Sequence, residues 1–567
     1  MAVVVPPPRK RERLSGGSLI AVITLVDAVS SCWFGYCQGV FAGVLVSEDF
    51  QRIFPQTNDA SISGIITSCF LLGAFFGAIA AFILGDKLGR KRTIALGHTL
   101  NLVGAVLQFT SWHLPQLIVG RVVNGIGMGM TSTISPVYLA ECARSHLRGR
   151  LLVVGASSNV SCFCLANWIS YGMYFHGGGA GGAMQWRFPL AFQLVFAAVL
   201  PLLTRVPESP RWLLLVDRDE EALRVIAQIS GGARGSSSSG ESSESSDENE
   251  EGRQRQQQQQ QQEEDPLVVA EYRSIKTAIR LERESRVPLI DVLCHRDQTQ
   301  NFRRLLLACG TQFMQQFSGI NALGFYFPTL LHENVGFDEQ MSRLLTAVSG
   351  TVYLVAAFCS LFVIDRVGRR KLMLNGAVGM AVCHLIAAIC LKAGEDDPSK
   401  TKTTGNVTVA MFVLYHVFFS PTWGGVPWVC SRSTPRTTGW RSRGAAAATG
   451  TNWLMAFVVV QFTKAGVDNL RWAFYLIFAA FCLCFAPVVF CFYPETSNRT
   501  LEDMDQIFIR NPSVLVCGNN EMTQRARPQA LLDAEAERIA SGDGGGVGVD
   551  SSSGTVPTVT VEANKRP

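Results

Sequence analysis

Two short charged stretches, Gly85-Asp-Lys-Leu-Gly-Arg-Lys-Arg92 and Asp365-Arg-Val-Gly-Arg-Arg-Lys371, share one pattern, Asp-x-x-Gly-Arg followed by two basic residues. They lie 279 residues apart, counted from Asp86 to Asp365. A second matching pair, Pro207-Glu-Ser-Pro-Arg211 and Pro494-Glu-Thr496, occurs later in each half at an offset of 287. An internal repeat on this scale indicates a protein built from two similar halves.

Apolar stretches long enough to cross about 30 Å of hydrocarbon surround these motifs. We count twelve, near residues 19–46, 62–84, 94–111, 117–139, 151–174, 188–206, 303–331, 342–364, 372–391, 407–429, 445–464 and 471–493. Only 17% of the residues are charged, whereas soluble domains carry about a quarter. We therefore predict an all-α membrane protein of twelve transmembrane helices in two six-helix bundles, and exclude a soluble multidomain enzyme.

Basic residues predict the orientation, because they are more numerous in the loops on the side of the amino terminus. The expected parts are a cytosolic tail (1–18), a six-helix bundle (19–206), a cytosolic loop (207–302), a second bundle (303–493) and a largely disordered cytosolic tail (494–567). Within the loop, the serine, acidic and glutamine run at 231–265 predicts disorder. Residues 220–229 and 267–284 instead alternate apolar and charged residues at helical spacing, which predicts two short amphipathic helices.

Further motifs occur in order along the chain. They include Gly120-Arg121, Pro136-x-Tyr138-x-x-Glu141, Arg148-Gly149 and Gln315-Gln-Phe-Ser-Gly-Ile-Asn321. With the charged repeats, they resemble the sugar porter family of the major facilitator superfamily. The stretches Asn167-Trp-Ile-Ser-Tyr-Gly172 and Trp186-Arg-Phe-Pro-Leu190 are most similar to fungal hexose transporters. The resemblance implies the major facilitator fold and a carrier, not an enzyme.

Carboxamide side chains are concentrated on the seventh predicted span, at Gln315, Gln316 and Asn321. Exposing all three polar side chains to lipid would cost free energy. They therefore either form hydrogen bonds between helices or line a binding site. A neutral polyol needs amide donors and acceptors for its hydroxyls and an aromatic face for its ring. The resemblance implies that these three residues bind sugar, and it adds further contacts: Trp428, Asn452 and Trp453 as sugar contacts, Phe34 as a pocket aromatic and Tyr326 as an outer-gate tyrosine.

Charged residues lie at the predicted cytosolic ends of the spans. The set is Asp86, Arg90, Glu141, Arg148, Glu208, Asp365, Arg369 and Glu495. They either hold the topology or form ion pairs that tie the two bundles together when the inner side is closed. Such pairs at a wet surface contribute about 0–1 kcal/mol each, so a network of them can hold one state and still release it. The resemblance implies the second function, a cytoplasmic gate.

The chain departs from its family at two places. Span one reads Gly35-Tyr36-Cys37, where proton-coupled members have an aspartate near the span-four arginine that matches Arg121. A thiol, with a reference pKa of about 8.5, is a poor proton carrier at neutral pH, which favours facilitated diffusion. After span ten, the glutamate corresponding to Glu141 is absent and Arg436 falls near its place, which predicts a weaker inner gate unless this segment reflects a sequence error.

These observations predict a carrier that moves a hexose-like monosaccharide across the plasma membrane by alternating access. Two alternatives stay open: a proton symporter that uses another acid, and a sugar sensor that does not transport. The sequence has no phosphate-binding loop and no cluster of ligand-like histidines, so we expect neither cofactor nor metal. The sugar and the bilayer are the expected partners, with no nucleic acid, and the pattern does not indicate an oligomeric state.

Overall fold

Long helices make up nearly all of the structure, a computed structural model that describes residues 14–144, 147–176, 182–231, 265–284, 300–431, 440–497, 499 and 501–524. Within these ranges there is no strand. The first six spans are Gly16–Leu45, Ala60–Leu88, Arg90–Phe109, Leu114–Cys142, Arg148–Tyr174 and Met184–Leu203. Spans seven to twelve are Asn301–Phe317 with Ile320–Leu330, Glu339–Val367, Arg369–Asp396, Thr401–Phe419 continued by Val426–Ser431, Trp440–Leu470, and Ala473–Phe492. The predicted all-α class is confirmed.

Ten of these twelve spans are individually long and apolar enough to cross a membrane, as far as the chain is described. Span three falls short because it begins with three consecutive basic residues and buries polar side chains, including His98 and Asn101. Span seven falls short because it is divided into two helices, Asn301–Phe317 and Ile320–Leu330. Both spans nevertheless pack inside their bundles, span three along span four and span seven along span eleven.

Span seven, which the sequence places near 303–331, consists of two helices separated by a break at Ser318 and Gly319. Gly319 has a φ of 96°, a left-handed conformation that a residue with a side chain adopts only with strain. Neighbouring residues hold the break. The Ser318 hydroxyl donates to the Gln315 carbonyl at 2.6 Å, and His384 Nε2 on span nine lies 3.0 Å from the Ser318 carbonyl oxygen. The break therefore depends on span nine as well as on its own sequence.

The two halves contact each other along span two with span eleven and along span five with span eight. We call the end that carries the 85–92 and 365–371 stretches the charged end, and the opposite end the far end. Hydrogen bonds between the halves lie toward the far end in the described residues. Ser68 donates to Gln461 Oε1 at 2.6 Å, Trp168 Nε1 donates to Thr351 at 2.9 Å, and Arg343 donates to the Ser170 carbonyl at 3.1 Å. The halves are thus joined at the far end.

Two amphipathic helices form where the spacing predicted them, at Asp219–Ser230 and Pro266–Glu284. Tyr272 donates to Asp219 at 2.9 Å and Lys276 does so at 3.1 Å, and these hydrogen bonds lower the pKa of Asp219. The apolar face of the first helix packs against the start of span one. Most of the predicted disordered run at 231–265 lies outside the described residues.

The chain after span twelve is more ordered than the sequence indicated. Leu501–Arg510 is a helix, and the backbone N–H of Val516 donates to the Cys491 carbonyl at 2.7 Å. The Glu495 N–H donates to the Met522 carbonyl at 2.8 Å. Part of the tail that we expected to be largely disordered is therefore ordered, up to residue 524 among the described residues, because this segment pairs with the end of span twelve. Residues 1–13, 432–439 and 525–567 lie outside the described chain.

Candidate functional site

Four buried carboxamides form a continuous hydrogen-bonded cluster at the break in span seven. Asn452 Nδ2 donates to Gln315 Oε1 at 3.0 Å, and Gln316 Nε2 lies 3.5 Å from the same oxygen. Asn321 Nδ2 donates to Gln316 Oε1. The four side chains are only 5–8% exposed. Gln315 is anchored further, because its Nε2 donates to the Trp423 carbonyl at 2.7 Å. Three predicted sugar-binding residues on span seven and one on span eleven thus lie together.

A fifth carboxamide, Gln312, belongs to this cluster and was missed by the sequence analysis. It is fully buried, and its Oε1 accepts from Asn452 Nδ2 at 2.8 Å. Its Nε2 has no hydrogen-bond partner in the described part of the chain. The signal was present, because Gln312 precedes Gln315 by three residues and so shares its helix face. An amide donor without a partner leaves hydrogen-bonding capacity in the cluster.

Aromatic side chains lie close to the carboxamides. Phe34 on span one and Trp453 on span eleven meet edge to face, with ring centroids 5.2 Å apart, so this pair joins the two halves. Trp453 is 2% exposed and directly follows Asn452 in the sequence. Trp428 is half-buried in Val426–Ser431, a short helix that packs on Asn301–Phe317. Phe34 and Trp453 thus lie beside Asn452 of the cluster, and Trp428 lies in the helix that packs on the first helix of span seven.

The predicted outer-gate residue, Tyr326, lies in the second helix of span seven and crosses to the other half. Its hydroxyl lies 3.5 Å from the Ser63 carbonyl oxygen, near the start of span two, and the side chain is 1% exposed. This contact is at the far end, where the other hydrogen bonds between the halves are found. Tyr326 thus adds a contact between the two halves at the far end.

Cys37 lies among neutral polar groups. Its thiol donates to Gln193 Oε1 at 3.2 Å, and Asn124 Nδ2 donates to the same oxygen at 3.2 Å. Arg121 is within electrostatic range of Cys37 and is 2% exposed. Its guanidinium donates to the Thr67 carbonyl at 2.9 Å and lies 3.6 Å from the centre of the Phe41 ring. No described carboxylate lies within ion-pair distance of Arg121, so a buried charge is held by a carbonyl and an aromatic face.

At the charged end of the first half, the predicted gate residues bind one another. Arg90 forms a two-pronged ion pair with Glu141, at 3.1 and 3.2 Å, and a third contact with Asp86 at 3.0 Å. Glu208 accepts from the backbone N–H groups of Arg90 at 2.9 Å and Lys91 at 3.1 Å. The first N–H groups of a helix have no partner within the helix. Glu208 therefore caps span three.

The second half repeats this cap. Glu495 accepts from the backbone N–H of Arg369 at 3.1 Å and of Arg370 at 3.2 Å, at the start of span nine. Gly368 has a φ of 94°, and a Cβ there would lie 2.7 Å from Glu495 Oε2. Gly89 in the first half has a φ of 93° and would place a Cβ 2.5 Å from Glu208 Oε2. Glycine suits both turns because it adopts the positive φ without strain, and it also leaves room for the capping carboxylate.

Among the gate residues whose side chains the structure describes, no ion pair connects the two bundles in this conformation. Described gate residues bond within their own half, and Arg148 is exposed and interacts with Glu271 of the helix Pro266–Glu284. The side chain of Asp365 lies outside the description. Because the halves are joined at the far end here, the interbundle pairs stay a prediction for the state that closes the charged end. The capping by Glu208 and Glu495 explains why these two carboxylates are not available to the other half.

The protein has two six-helix halves that repeat in sequence and in their helix caps, and the second half holds a buried cluster of uncharged amides beside the break in span seven. This combination defines a multi-pass membrane transporter of the major facilitator fold. Comparison with known proteins specifies it further, because the family described as "Sugar (and other) transporter" matches residues 23–508. The chain belongs to this sugar transporter family.

Individual relatives agree with the family match. The chain is 37% identical over 531 residues to the MFS-type transporter oryC of Aspergillus oryzae, which covers 93% of this chain and 92% of that protein. It is 31% identical over 512 residues to the sugar transporter STL1 of Saccharomyces cerevisiae, covering 88% and 82%. Among solved structures, the partially occluded inward-open xylose transporter XylE from E. coli aligns with a TM-score of 0.66 at 22% identity, covering 85% of this chain and 100% of that one. The last likeness supports the fold.

Proposed function

We propose that this sugar transporter moves a hexose-like monosaccharide across the plasma membrane by facilitated diffusion. The observation that carries the proposal is the cluster of Gln312, Gln315, Gln316, Asn321 and Asn452 beside the Phe34 and Trp453 rings. A neutral sugar offers hydroxyls that both donate and accept, and carboxamides match both functions. The apolar side of a sugar ring packs on aromatic faces. The cluster itself contains no charge, which suits an uncharged substrate.

The place where the two halves are joined supports the proposal of alternating access. Contacts across the halves toward the far end, including Tyr326 with Ser63 and Ser68 with Gln461, hold that end together in this conformation. In the proposed cycle, the halves rock about the carboxamide cluster until the charged end closes instead. Asp86, Arg90, Glu141, Arg148, Glu208, Asp365, Arg369 and Glu495 then form the inner gate. The bound sugar must stabilise the intermediate arrangement more than the two open ones, since equal binding would shift nothing.

Facilitated diffusion is supported by the surroundings of Cys37 and Arg121. A coupled proton needs a group whose charge changes with the transport state. The described neighbours of Cys37 are the neutral amides Asn124 and Gln193, and Arg121 has no described carboxylate partner. Because no described acid contacts Cys37 or Arg121, the proposed cycle moves the sugar without a proton.

Sugar flux into reconstituted vesicles tests the proposal. The full-length protein should equilibrate radiolabelled glucose across the vesicle membrane without concentrating it, and a protonophore should leave the rate unchanged. Accumulation driven by an imposed proton gradient would instead establish symport. Binding without any flux would favour the sensor alternative. Competition by unlabelled hexoses, pentoses and linear polyols in the same assay would define the substrate.

Replacing Cys37 with aspartate should introduce pH dependence into this transport. At neutral pH the new carboxylate is charged and can pair with Arg121, which stabilises one conformation and slows exchange. Protonation at acidic pH removes the pair, so uptake by Cys37→Asp should rise as the pH falls. Initial uptake rates across a pH series measure the effect. Cys37→Asn is the matched control, because asparagine has the same shape and does not titrate; identical pH profiles for both variants would contradict the proposed position of Arg121.

A further inference from the structure

Two cysteines at the charged end of the second half lie side by side, although they are 26 residues apart in the sequence. Cys491 is in the last turn of span twelve, and Cys517 follows the helix Leu501–Arg510. The backbone N–H of Val516 donates to the Cys491 carbonyl at 2.7 Å, which brings the next residue, Cys517, beside span twelve. The two thiol groups are hydrogen-bonded to each other. Both cysteines are free and partly exposed, so a small reagent can reach the pair.

Backbone hydrogen bonds hold the turn that carries Cys517. Besides the bond from Val516 to Cys491, the Asn519 N–H donates to the Val516 carbonyl at 3.1 Å. Gly518, between Cys517 and Asn519, has a φ of 93°, a conformation that glycine adopts without strain. The fold itself therefore places the two thiols together.

The segment that carries Cys517 also contacts span seven. The Arg303 guanidinium donates to the Val514 carbonyl at 2.9 Å. Gln300, which directly precedes span seven, donates through its Nε2 to the Phe508 carbonyl at 2.6 Å. A covalent bond from Cys517 to span twelve would thus connect the start of span seven with the end of span twelve.

We infer that Cys491 and Cys517 form a redox modification site, which a hydroperoxide such as hydrogen peroxide converts into a disulfide. One thiol, as its thiolate, attacks a peroxide oxygen, the O–O bond breaks, and a sulfenic acid and one water form. The second thiol then attacks the sulfenic sulfur, so that the S–S bond forms and a second water leaves. In total the two thiols lose two electrons and two protons, and one hydrogen peroxide is reduced to two waters. A dithiol reductant restores both thiols by exchange.

The expected location of the pair fits a reversible site. The sequence predicts that the charged end faces the cytosol, where disulfides are usually transient and serve in redox sensing. A bond between Cys491 and Cys517 closes a loop in the unfolded chain and so restricts it. We therefore expect the oxidised protein to be more stable than the reduced protein.

Peptide mapping of the full-length protein tests the inference. Purified protein in detergent is treated with hydrogen peroxide, remaining thiols are blocked with N-ethylmaleimide, and the protein is digested and analysed by mass spectrometry. We expect two peptides joined through Cys491 and Cys517, with a mass two hydrogens below the sum of the free peptides. Dithiothreitol added before the blocking step should remove the joined pair. The melting temperature should rise on oxidation and return on reduction.

Cys517→Ser should lose both the joined peptides and the rise in melting temperature. Cys484→Ser is the matched control, because Cys484 is an exposed free cysteine in the same span and its loss should change neither result. If Cys517→Ser does not fold, Cys491→Ser removes the other thiol of the pair and should have the same effect. Absence of the joined peptides from the peroxide-treated wild type overturns the inference. A reversible rise in melting temperature that persists in the Cys517→Ser variant does so as well.

Discussion

Gln316→Leu is expected to raise the KM for sugar uptake about 10- to 100-fold while the amount of protein in the membrane stays the same. Gln316 is only weakly bonded to Gln315, at 3.5 Å, so its amide hydrogens are available to a substrate hydroxyl. Leucine keeps the volume but removes both the donor and the acceptor. A buried polar group left without its partner costs about 1–3 kcal/mol, which corresponds to this range of affinity.

Initial uptake rates over a range of sugar concentrations, normalised to surface expression, measure the Gln316→Leu effect. Gln340→Leu is the matched control, because Gln340 is exposed at the start of span eight, and the same exchange there should leave the KM unchanged. Equal KM values for wild type and Gln316→Leu would place sugar binding away from the carboxamide cluster. Equal losses in both variants would indicate a general effect of the added leucine.

Gly319→Ala is expected to have the second large effect, lowering the free energy of unfolding by about 1–3 kcal/mol and reducing transport more than tenfold. The φ of 96° disfavours any side chain, and a Cβ would lie 3.1 Å from His384 Nε2 and 3.2 Å from the Phe478 ring. Relief of this strain requires the break in span seven to move. Because Gln315, Gln316 and Asn321 flank the break, their hydrogen bonds would move with it.

Gly324→Ala provides the comparison for Gly319→Ala. Gly324 lies in the same span, within a regular helix, and a Cβ there meets no heavy atom within 4 Å. Alanine is a better helix former than glycine by about 1 kcal/mol, so this variant should be as stable as wild type or slightly more so. The two variants are compared by thermal unfolding in detergent and by sugar uptake in vesicles. Comparable stability and uptake in both variants would show that the break is not needed.

The positions of most spans could be read from the sequence, because crossing a bilayer requires about twenty apolar residues and this requirement is local. Spacing of apolar and charged residues was equally sufficient for the helix Asp219–Ser230, which was predicted at 220–229. The two-half organisation followed from the repeated charged stretches. The sequence also indicated three carboxamides on span seven, but only the family resemblance implied that all three contribute to one binding site.

The choice of partners was decided only by the tertiary structure. Glu208 was expected in an interbundle ion pair, but it caps span three through the N–H of Arg90, 118 residues earlier in the chain. The break at Gly319 likewise involves His384 from another span, whose Nε2 lies 3.0 Å from the Ser318 carbonyl oxygen. Hydropathy and helical spacing reflect the free energy of burying a segment, and that free energy depends on the segment's own composition. The hydrogen-bond and ion-pair partners of a group depend on which distant segments lie beside it. Those neighbours are determined only when the helices pack.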